Sequence, residues 1–378
     1  MARWSDVTTA GGRLTVLMLG LFLPAPASVT GQQASEVISG GSGTFYTGTY
    51  APRIHVVDEE TLALVDTITT QNGIAGSLVV SENRERIYVT DATYEYVEVI
   101  DLATRESIDS FTLNDGARRF RMRGGFSVDP RENYALITGS SRIEHADRYE
   151  IHSNVIVRYD LKKHEVMDTI PWPDDHVRSR VNFMFSPDGS LAYFLAEDMI
   201  VLETENFTEV DRWAISEESE PGLGVVRPGF GFSYYEEPGF FTGLVRMTDP
   251  INNRRMMGIA RVNLAEREMN FHALGPDQPL RRFALAPGAK RAWALYDEVG
   301  HYEFWAIDLE EGRVTHRQPF PGRPRMGLTV SSNGKYLYIH VAGSTIDVYD
   351  SETYEHLKTV DVGGDMRGFV FLPGADGQ

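Results

Sequence analysis

The chain has 378 residues, of which 42% are hydrophobic, with a formal net charge of −18 and a sequence pI near 5.0. This length and hydrophobic content are sufficient for a large buried core, so the composition is that of a globular protein. The excess of acid excludes a typical nucleic-acid-binding protein, which needs a basic surface to neutralise phosphates. The sequence contains no cysteine, which excludes disulfides and haem attachment through Cys-x-x-Cys-His.

The first 31 residues have the pattern of a cleaved secretory signal. Arg3 and Arg13 precede an apolar run at 14–23, and small residues including Ala27 follow it. This run is too short to cross a bilayer as a stable helix. The pattern predicts cleavage close to Ala27 and a periplasmic or secreted mature chain without a membrane span. We assign residues 32–42 to a flexible linker, 43–374 to the folded domain and 375–378 to a short tail.

One pattern recurs seven times between residue 43 and the C-terminus. Each unit has an aromatic residue in one alternating run and an acid or amide that closes a second run; the pairs are Tyr46 with Asp58, Tyr88 with Asp101, Tyr134 with Asp160, Tyr193 with Glu203, Phe241 with Asn263, Trp293 with Asp308, and Tyr338 with Asp350. Four of the six intervals between closing residues are 42 to 45 residues long. This period is typical of a four-stranded propeller blade, and the two longer intervals indicate insertions in the third and fifth units.

Several short runs with period-two alternation fill each unit, bounded by turn signals such as SPDG at 186–189 and SSNG at 331–334. We therefore predict an all-β fold, a seven-bladed β-propeller of four-stranded antiparallel blades. The first unit lacks a strand ahead of Tyr46, whereas RGFVFLPG at 367–374 is similar to the opening of other units. The C-terminal strand is thus expected to join the first blade and to close the ring, which removes two exposed sheet edges.

The sequence YVT at 88–90, with the closure Asp101 and Thr104, resembles the YVTN-type propeller repeat. Residues 45–372 show a closer resemblance, to the β (propeller) subunit of quinohemoprotein amine dehydrogenase in the amine dehydrogenase heavy-chain-like superfamily. It is carried by FYTGTYAPRIHVVDEETLALVDTI at 45–68, SSRIEHADRYEIHSN at 140–154, PGFFTGLVRMTDPINNRRMMGIARVNL at 238–264 and GSTIDVYDSETYEHLKTVDV at 343–362.

The resemblance implies a non-catalytic scaffold or binding subunit, because in that family other chains carry the c-type haem or the tryptophan-derived quinone. Those haem- or quinone-bearing subunits of a dehydrogenase complex are then the implied partners, and this chain is expected to hold no cofactor. The lack of cysteine agrees with this, since both groups are attached through cysteine. Two alternatives remain open: a stand-alone propeller enzyme of the lactonase or hydrolase kind, and a solitary module that recognises a protein or a glycan.

Strand parity places the blade starts and the loops between second and third strands on one face of a propeller. Arginine occurs at six of the seven predicted blade starts, namely Arg123, Arg180, Arg227, Arg282 with Arg281 as its alternative, Arg325 and Arg367. A ring of guanidinium groups predicts a site for a small anionic ligand or an acidic group of a partner. The alternative is that each arginine pairs with a neighbouring carboxylate or caps backbone carbonyls. The inserted loops add Tyr149, His152, Arg246 and Arg254 to this face.

Three other groups of polar or aromatic residues are predicted to stabilise the fold or to face solvent, without a catalytic role. The set Glu144, His145, Asp147 and His152 lies in one loop without rigid ligand spacing, so we predict a solvated loop and no metal site. The acids Asp58, Asp101, Asp160, Asp308 and Asp350 recur once per blade, which indicates turn capping and not catalysis. The aromatic cluster Phe230, Phe232, Tyr234, Tyr235, Phe240 and Phe241 is assigned to the core, with a partner-binding patch as the alternative. No catalytic residue is predicted.

Overall fold

Period-two alternation produces strands along most of the chain, and backbone pairing groups them into seven antiparallel sheets. The computed structural model of the protein describes residues 38–374 apart from 180, 182, 197, 216–225, 231, 232, 234 and 250, and it describes the backbone alone at 123, 124 and 226–230. The seven-bladed propeller expected from the repeat is confirmed. Among the described residues, no helix is long and apolar enough to cross a membrane.

The first three blades contain the strands β1 (Thr44–Thr49), β2 (Arg53–Asp58), β3 (Ala63–Thr69), β4 (Ala75–Val80), β5 (Arg86–Asp91), β6 (Tyr96–Asp101), β7 (Ser107–Thr112), β8 (Arg118–Val128), β9 (Tyr134–Glu144), β10 (Tyr149–Ile151), β11 (Val155–Asp160) and β12 (Glu165–Ile170). A 3-10 turn, Pro173–Asp175, leads to the fourth blade, with β13 (Phe183–Phe185), β14 (Leu191–Leu195), β15 (Met199–Glu203) and β16 (Glu209–Trp213).

The remaining blades contain β17 (Val226–Phe230), β18 (Phe240–Asp249), β19 (Arg254–Asn263), β20 (Glu268–Pro276), β21 (Leu280–Leu285), β22 (Arg291–Glu298), β23 (His301–Asp308), β24 (Arg313–Pro319), β25 (Gly327–Val330), β26 (Tyr336–His340), β27 (Thr345–Asp350), β28 (His356–Asp361) and β29 (Met366–Leu372). We call the four strands of a blade a to d in the order of their pairing. Strand a of blade 1 is β29, because that sheet has the order β29-β1-β2-β3.

The last strand closes the ring, as the sequence predicts. β29 pairs with β1 in the register Phe45 with Phe371 and Tyr46 with Val370. The rings of Phe45 and Phe371 stack with their centroids 4.8 Å apart. Blade 1 therefore obtains its strand a from the end of the sequence, and its free edge is paired.

Segment 38–42, assigned above to a linker, packs against blade 7. The backbone N–H of Asn333 donates to the carbonyl oxygen of Gly40 at 2.8 Å, and the Asn333 side chain donates to the carbonyl oxygen of Ser39 at 2.9 Å. Gly40 is buried, and a Cβ at this position would lie 1.8 Å from the Tyr338 hydroxyl oxygen. This close approach explains why glycine occurs there.

The insertions in blades 3 and 5 form longer strands, whereas the sequence analysis assigned them to loops. In blade 3 the a and b strands are 11 residues each, and β10 pairs with the extended end of β9. In blade 5 the b and c strands pair continuously from Phe240 with Asn263 to Asp249 with Arg254. Alternation continues into both insertions, so the antiparallel ladder extends beyond the neighbouring blades.

The strand registers define two faces. Strand a of a blade starts on the same face as strand c, where strands b and d end; we call this the upper face, and the opposite one the lower face. For example, β25 ends beside the start of β26, with Val330 opposite Leu337. The turns that follow the closing acids, such as Asp58 and Asp101, therefore lie on the lower face. The expected division of loops between the faces is confirmed by these pairings.

Packing between blades forms the core. The aromatic residue of strand b in the repeat is buried in most blades, with Tyr88, Trp293 and Tyr338 exposed by 2% or less. Its polar atom reaches the following blade: the Tyr88 hydroxyl donates to Glu132 at 2.6 Å, and the Trp293 Nε1–H donates to the Tyr354 hydroxyl at 3.3 Å. Apolar burial and one directed hydrogen bond thus fix each such pair of neighbouring blades.

Candidate functional site

The described arginines at the blade starts differ in their partners. Arg282 lies at a β-bulge with a φ of 56°, and its Nε–H donates to the carbonyl oxygen of Met326 at 3.0 Å. Arg367 lies over the Tyr50 ring, with Cζ 5.6 Å from the centroid. Arg325 is exposed and makes no hydrogen bond or ion pair with a described residue. The guanidinium of Arg282 caps a backbone carbonyl of the next blade, which agrees with a structural role and not with anion binding. The Arg325 side chain, in contrast, is available to a ligand.

The other three arginines of the predicted ring are Arg123, Arg180 and Arg227. Arg180 lies outside the described residues, and the side chains of Arg123 and Arg227 are outside the description. The backbone of Arg227 pairs with that of Arg246 in blade 5. The proposed ring of arginines is therefore described at Arg282, Arg325 and Arg367 only, and it stays a prediction.

The four candidates on the insertions all lie on the upper face and all contact acids. Arg246 Nε is 3.1 Å from an Asp277 carboxylate oxygen, and Arg254 is 3.3 Å from Asp249. His152 Nε2 lies 3.6 Å from Glu150, and the Tyr149 hydroxyl donates to Glu144 at 3.4 Å. The four side chains are largely exposed, whereas the carboxylates of Asp249 and Asp277 are only 12% and 22% exposed. A polar group of a partner could therefore contact these four side chains directly.

Apolar side chains exposed at the loop tips of the upper face were not identified from the sequence. Ile151 is 77% exposed in β10, Ile251 is 79% exposed between β18 and β19, and Val299 is 85% exposed between β22 and β23. Tyr50 and Val177 add two further exposed apolar residues on this face. The available signal was a lone large apolar residue inside a polar turn, as in DPINN at 249–253 and DEVGH at 297–301.

Apart from Tyr149 on β10, the other described large apolar residues that are exposed lie on the outer d strands, and they are Leu64, Val65, Ile108, Val166, Met167, Val210 and Leu357. Within the described part of the chain, no lower-face turn contributes an exposed large apolar side chain. The two faces therefore differ: the lower face has capped polar turns, and the upper face has apolar tips beside cationic and acidic groups. Such a combination is typical of a protein-binding surface.

The extended hairpin of blade 3 adds cationic side chains to the upper face. Arg118 and Arg119 are exposed near its end. Arg121 lies over the Tyr94 ring with Cζ 5.6 Å from the centroid, and Arg142 is 3.4 Å from Glu95. Two of these four arginines thus pack against blade 2, and the other two increase the local positive charge in a protein of net negative charge.

The recurrent acids cap turns, as predicted. Asp101 accepts from the backbone N–H of Thr104 at 2.8 Å and from its hydroxyl at 3.0 Å. The Thr104 N–H and hydroxyl hold the pKa of Asp101 below its usual value. Asp58 accepts the corresponding bonds from Thr61 at 2.9 and 2.6 Å. In each of these two residues one carboxylate oxygen accepts both bonds, so the acids cap their turns on the lower face, at the end of the blade opposite to the upper-face loops.

The polar loop of blade 3 shows no metal geometry. His145 Nε2 lies 3.2 Å from Glu150, and Asp147 pairs with the adjacent Arg148 at 3.2 Å. Among the described residues, no group of three or more His, Asp or Glu side chains could hold a metal ion. The loop residues are mostly exposed and paired with their sequence neighbours.

The aromatic cluster contributes to the core where it is described. Tyr235 packs against blade 7, and its hydroxyl donates to the carbonyl oxygen of Val330 at 2.9 Å. Burial raises the pKa of this hydroxyl. Phe241 packs beside Tyr193 in the core of blades 4 and 5, and Arg261 lies 4.7 Å from the Phe240 ring. Phe232 and Tyr234 lie outside the described residues, as does the side chain of Phe230.

Comparison with known proteins gives the fold. No protein-family model and no curated protein matches the sequence. Similar solved structures include a functionally unknown protein from Desulfotomaculum acetoxidans, with 12% identity, a TM-score of 0.54 and coverage of 88% of this chain and 99% of that one. Apo AztD from Citrobacter koseri has 16% identity, a TM-score of 0.52 and coverage of 89% and 99%.

The dihydro-heme d1 dehydrogenase NirN, solved in complex with DHE, is also similar. It has 15% identity and a TM-score of 0.50, with coverage of 92% of this chain and 78% of that one. At such identities the likeness establishes a shared propeller fold and nothing finer, because one fold supports many functions.

Proposed function

We propose that the protein is a non-catalytic scaffold or binding subunit that holds a partner protein on its upper face. The observation that carries this proposal is the set of exposed apolar tips Ile151, Ile251 and Val299 on one face of the propeller. Burial of such side chains contributes about 25 cal/mol for each Å² removed from water. Lower-face turns, by contrast, are occupied by internal hydrogen bonds.

The charges around these tips indicate the chemistry of the partner. Arg325 has no described partner of its own, and Arg118 and Arg119 are exposed on the same face. An acidic group on the partner gains charge-assisted hydrogen bonds from such guanidinium groups. The Arg246 and Arg254 side chains are 56% and 61% exposed, so a carboxylate of a partner can reach them as well. The proposed partner is thus a protein with an apolar contact surface bordered by carboxylates.

The amine dehydrogenase resemblance suggests haem- or quinone-bearing subunits as the class of partner. The signal pattern in the first 31 residues supports an encounter in the periplasm or outside the cell, which we propose as its location. A small anionic ligand at Arg325 is compatible with the same surface, since both use the same guanidinium chemistry.

The test compares variants of the two exposed apolar sets. The upper-face variant carries Ile251→Ser and Val299→Ser, and the matched control carries Val65→Ser and Val210→Ser on outer strands, where exposure is 49% and 55%. Each full-length protein is tagged, cross-linked in its native host and purified. Proteins that are recovered with it are quantified by mass spectrometry.

We expect a partner retained by the wild type and the control, and reduced about tenfold with the upper-face variant, because two of the three exposed apolar tips are lost. Arg325→Ala should reduce the same partner to a smaller extent. Equal recovery with both double variants, while melting curves remain unchanged, would remove the upper face as the docking surface.

A further inference from the structure

One position of the repeat determines how each gap between blades is filled. The fourth residue after the closing acid or amide has a left-handed φ between 55° and 61° in every blade; these residues are Leu62, Arg105, His164, Phe207, Arg267, Gly312 and Tyr354. We call it the gap residue. Its backbone conformation directs it from the lower-face turn towards the preceding blade.

Most gap residues fill the space beside the preceding blade. Phe207 lies edge-on to Tyr134 at 6.1 Å, and Leu62 packs with Tyr338. Arg105 and Arg267 form ion pairs across their gaps, with Asp66 at 3.2 Å and Asp211 at 2.8 Å. These contacts close the outer groove by apolar packing or by ion pairing.

Cavities lie beside two of the gap residues. Between blades 5 and 6 the gap residue is Gly312, and a cavity of about 360 Å³ lies there, partly filled by His272. Between blades 2 and 3 the gap residue is His164, and a cavity of about 400 Å³ remains. Both volumes are within the range of roughly 300 to 1,000 Å³ that is usual for small-molecule sites. We call the second cavity the 2–3 groove.

A buried carboxylate on the wall of the 2–3 groove is incompletely paired. Glu132 is 7% exposed, and its Oε2 accepts from the Tyr88 hydroxyl at 2.6 Å and from Arg86 at 2.8 Å. Its Oε1 has no hydrogen bond with any described residue and is buried. Buried carboxylate oxygens ordinarily have donors, so Oε1 has the capacity to accept a bond from a bound molecule.

The rest of the lining supplies further polar groups and an apolar surface. His164 Nε2 is 2.8 Å from Asp109, and Lys162 donates to Asn133 at 2.9 Å. The apolar lining consists of Val99, Ile108 and Leu161. Formal charges in the lining cancel, because Arg86 and Lys162 balance Asp109 and Glu132. The groove therefore does not favour an ion of either sign.

We infer that the 2–3 groove binds a neutral polyhydroxylated ligand, such as a sugar ring, with a ligand hydroxyl donating to Glu132 Oε1. Hydroxyl groups both donate and accept, which matches the mixture of carboxylates and cations in the lining. The carbon–hydrogen face of a sugar packs on Val99, Ile108 and Leu161. This site lies at the outer edge of the lower face, so it is separate from the proposed docking surface.

The experiment uses the full chain and a panel of probes: glucose, galactose, mannose, N-acetylglucosamine and maltose, with choline and succinate as charged probes. Binding is measured by isothermal titration calorimetry and by saturation-transfer NMR. Ile108→Trp fills the groove. His164→Arg introduces arginine, the residue type that closes two other gaps as Arg105 and Arg267. Asn270→Trp is the matched control, because it fills the cavity between blades 5 and 6.

We expect at least one sugar to bind saturably, with affinity reduced about tenfold or more by Ile108→Trp and by His164→Arg, because each larger side chain occupies the space that the ligand needs. Asn270→Trp should leave the affinity unchanged. The inference is overturned if no sugar binds saturably, if only choline or succinate binds, or if Asn270→Trp weakens binding as strongly as Ile108→Trp. Melting curves identify a variant that fails to fold, and the second groove variant then decides. None of these outcomes depends on the upper-face partner.

Discussion

His340 shows how a single buried side chain connects packing with pH. Its ring stacks on Phe369 with centroids 3.5 Å apart, and Nε2 lies 3.0 Å from the Thr329 hydroxyl, whereas Nδ1 has no partner among the described residues. Burial, together with the positive charges of Arg323 and Arg282, lowers the pKa of His340 from 6.5 to about 3. The histidine is therefore neutral in the folded protein over most of the pH range.

This pKa predicts a loss of stability in acid. The unfolded chain binds a proton at this histidine below pH 6.5 and the folded chain does so only near pH 3, so the free energy of unfolding decreases as the pH falls through that interval. His340→Phe keeps the stacked ring and removes the titration. We expect the slope of unfolding free energy against pH, measured by urea denaturation between these values, to be shallower by about one proton in the variant.

At neutral pH both proteins carry an uncharged ring at this position, so the comparison there is the control for packing changes. An identical slope in wild type and variant across the acid interval would show that His340 does not titrate differently in the two states.

At the scale of strands, the alternation and the turn signals were sufficient to predict the blades. Residues equivalent to Tyr88 and Asp101 recur in every repeat. The b strand of each blade needs a large side chain to bury, and each c–d turn needs an acceptor for its backbone N–H groups. The sequence did not predict that the blade 3 and blade 5 insertions continue as paired strands, since polar residues such as Arg142 and Glu144 alternate too weakly to be distinguished from a loop.

The candidate site was predicted less completely than the fold. Strand parity correctly assigned the loops to faces, but side-chain partners decide which arginine is free, as the bond from Arg282 to the Met326 carbonyl shows. The sequence does not reveal exposed tips such as Ile251, because an apolar residue in a turn is as consistent with burial as with exposure. The gap residue His164 was also missed, since its identity varies among blades while its backbone conformation does not.

The strand β29 provides the prediction at this scale. Deletion of Arg367 to Gln378 removes Phe371 from the core and leaves the edge of β1 unpaired. Loss of about 5 kcal/mol of burial and pairing corresponds to a decrease in Tm of about 10 °C. Differential scanning calorimetry measures it, and deletion of only 375–378 is the control. A Tm that is the same for both truncations would contradict closure by this strand.

For the molecule as a whole, a second contact joins its first and seventh blades. Glu59 is fully buried, and it accepts from the backbone N–H of Gly43 and of Ser332, both at 2.9 Å, and from the Tyr338 hydroxyl at 3.0 Å. Burial, together with the Glu59 carboxylate, raises the pKa of Tyr338. This carboxylate therefore links the beginning of the folded domain to the blade that precedes it around the ring.

Glu59→Ala should lower the free energy of unfolding by about 3 kcal/mol, because several buried donors lose their acceptor. The neighbouring Glu60 is exposed, so Glu60→Ala is the matched control and should change stability by less than about 0.5 kcal/mol. Urea denaturation followed by circular dichroism measures both. Similar values for the two variants would show that the Glu59 contacts do not contribute to ring stability.

The position of β29 beside β1 has a consequence for the connectivity of the fold. Thr44 lies opposite Leu372 in that pair, as the two residues at the turn of an ordinary hairpin do. A short turn of the kind found at 186–189 would therefore be sufficient to join these two points covalently. The domain is equivalent to a continuous circle of seven blades that has been opened after one strand, and a circular permutant opened in another lower-face turn would retain every strand pairing described above.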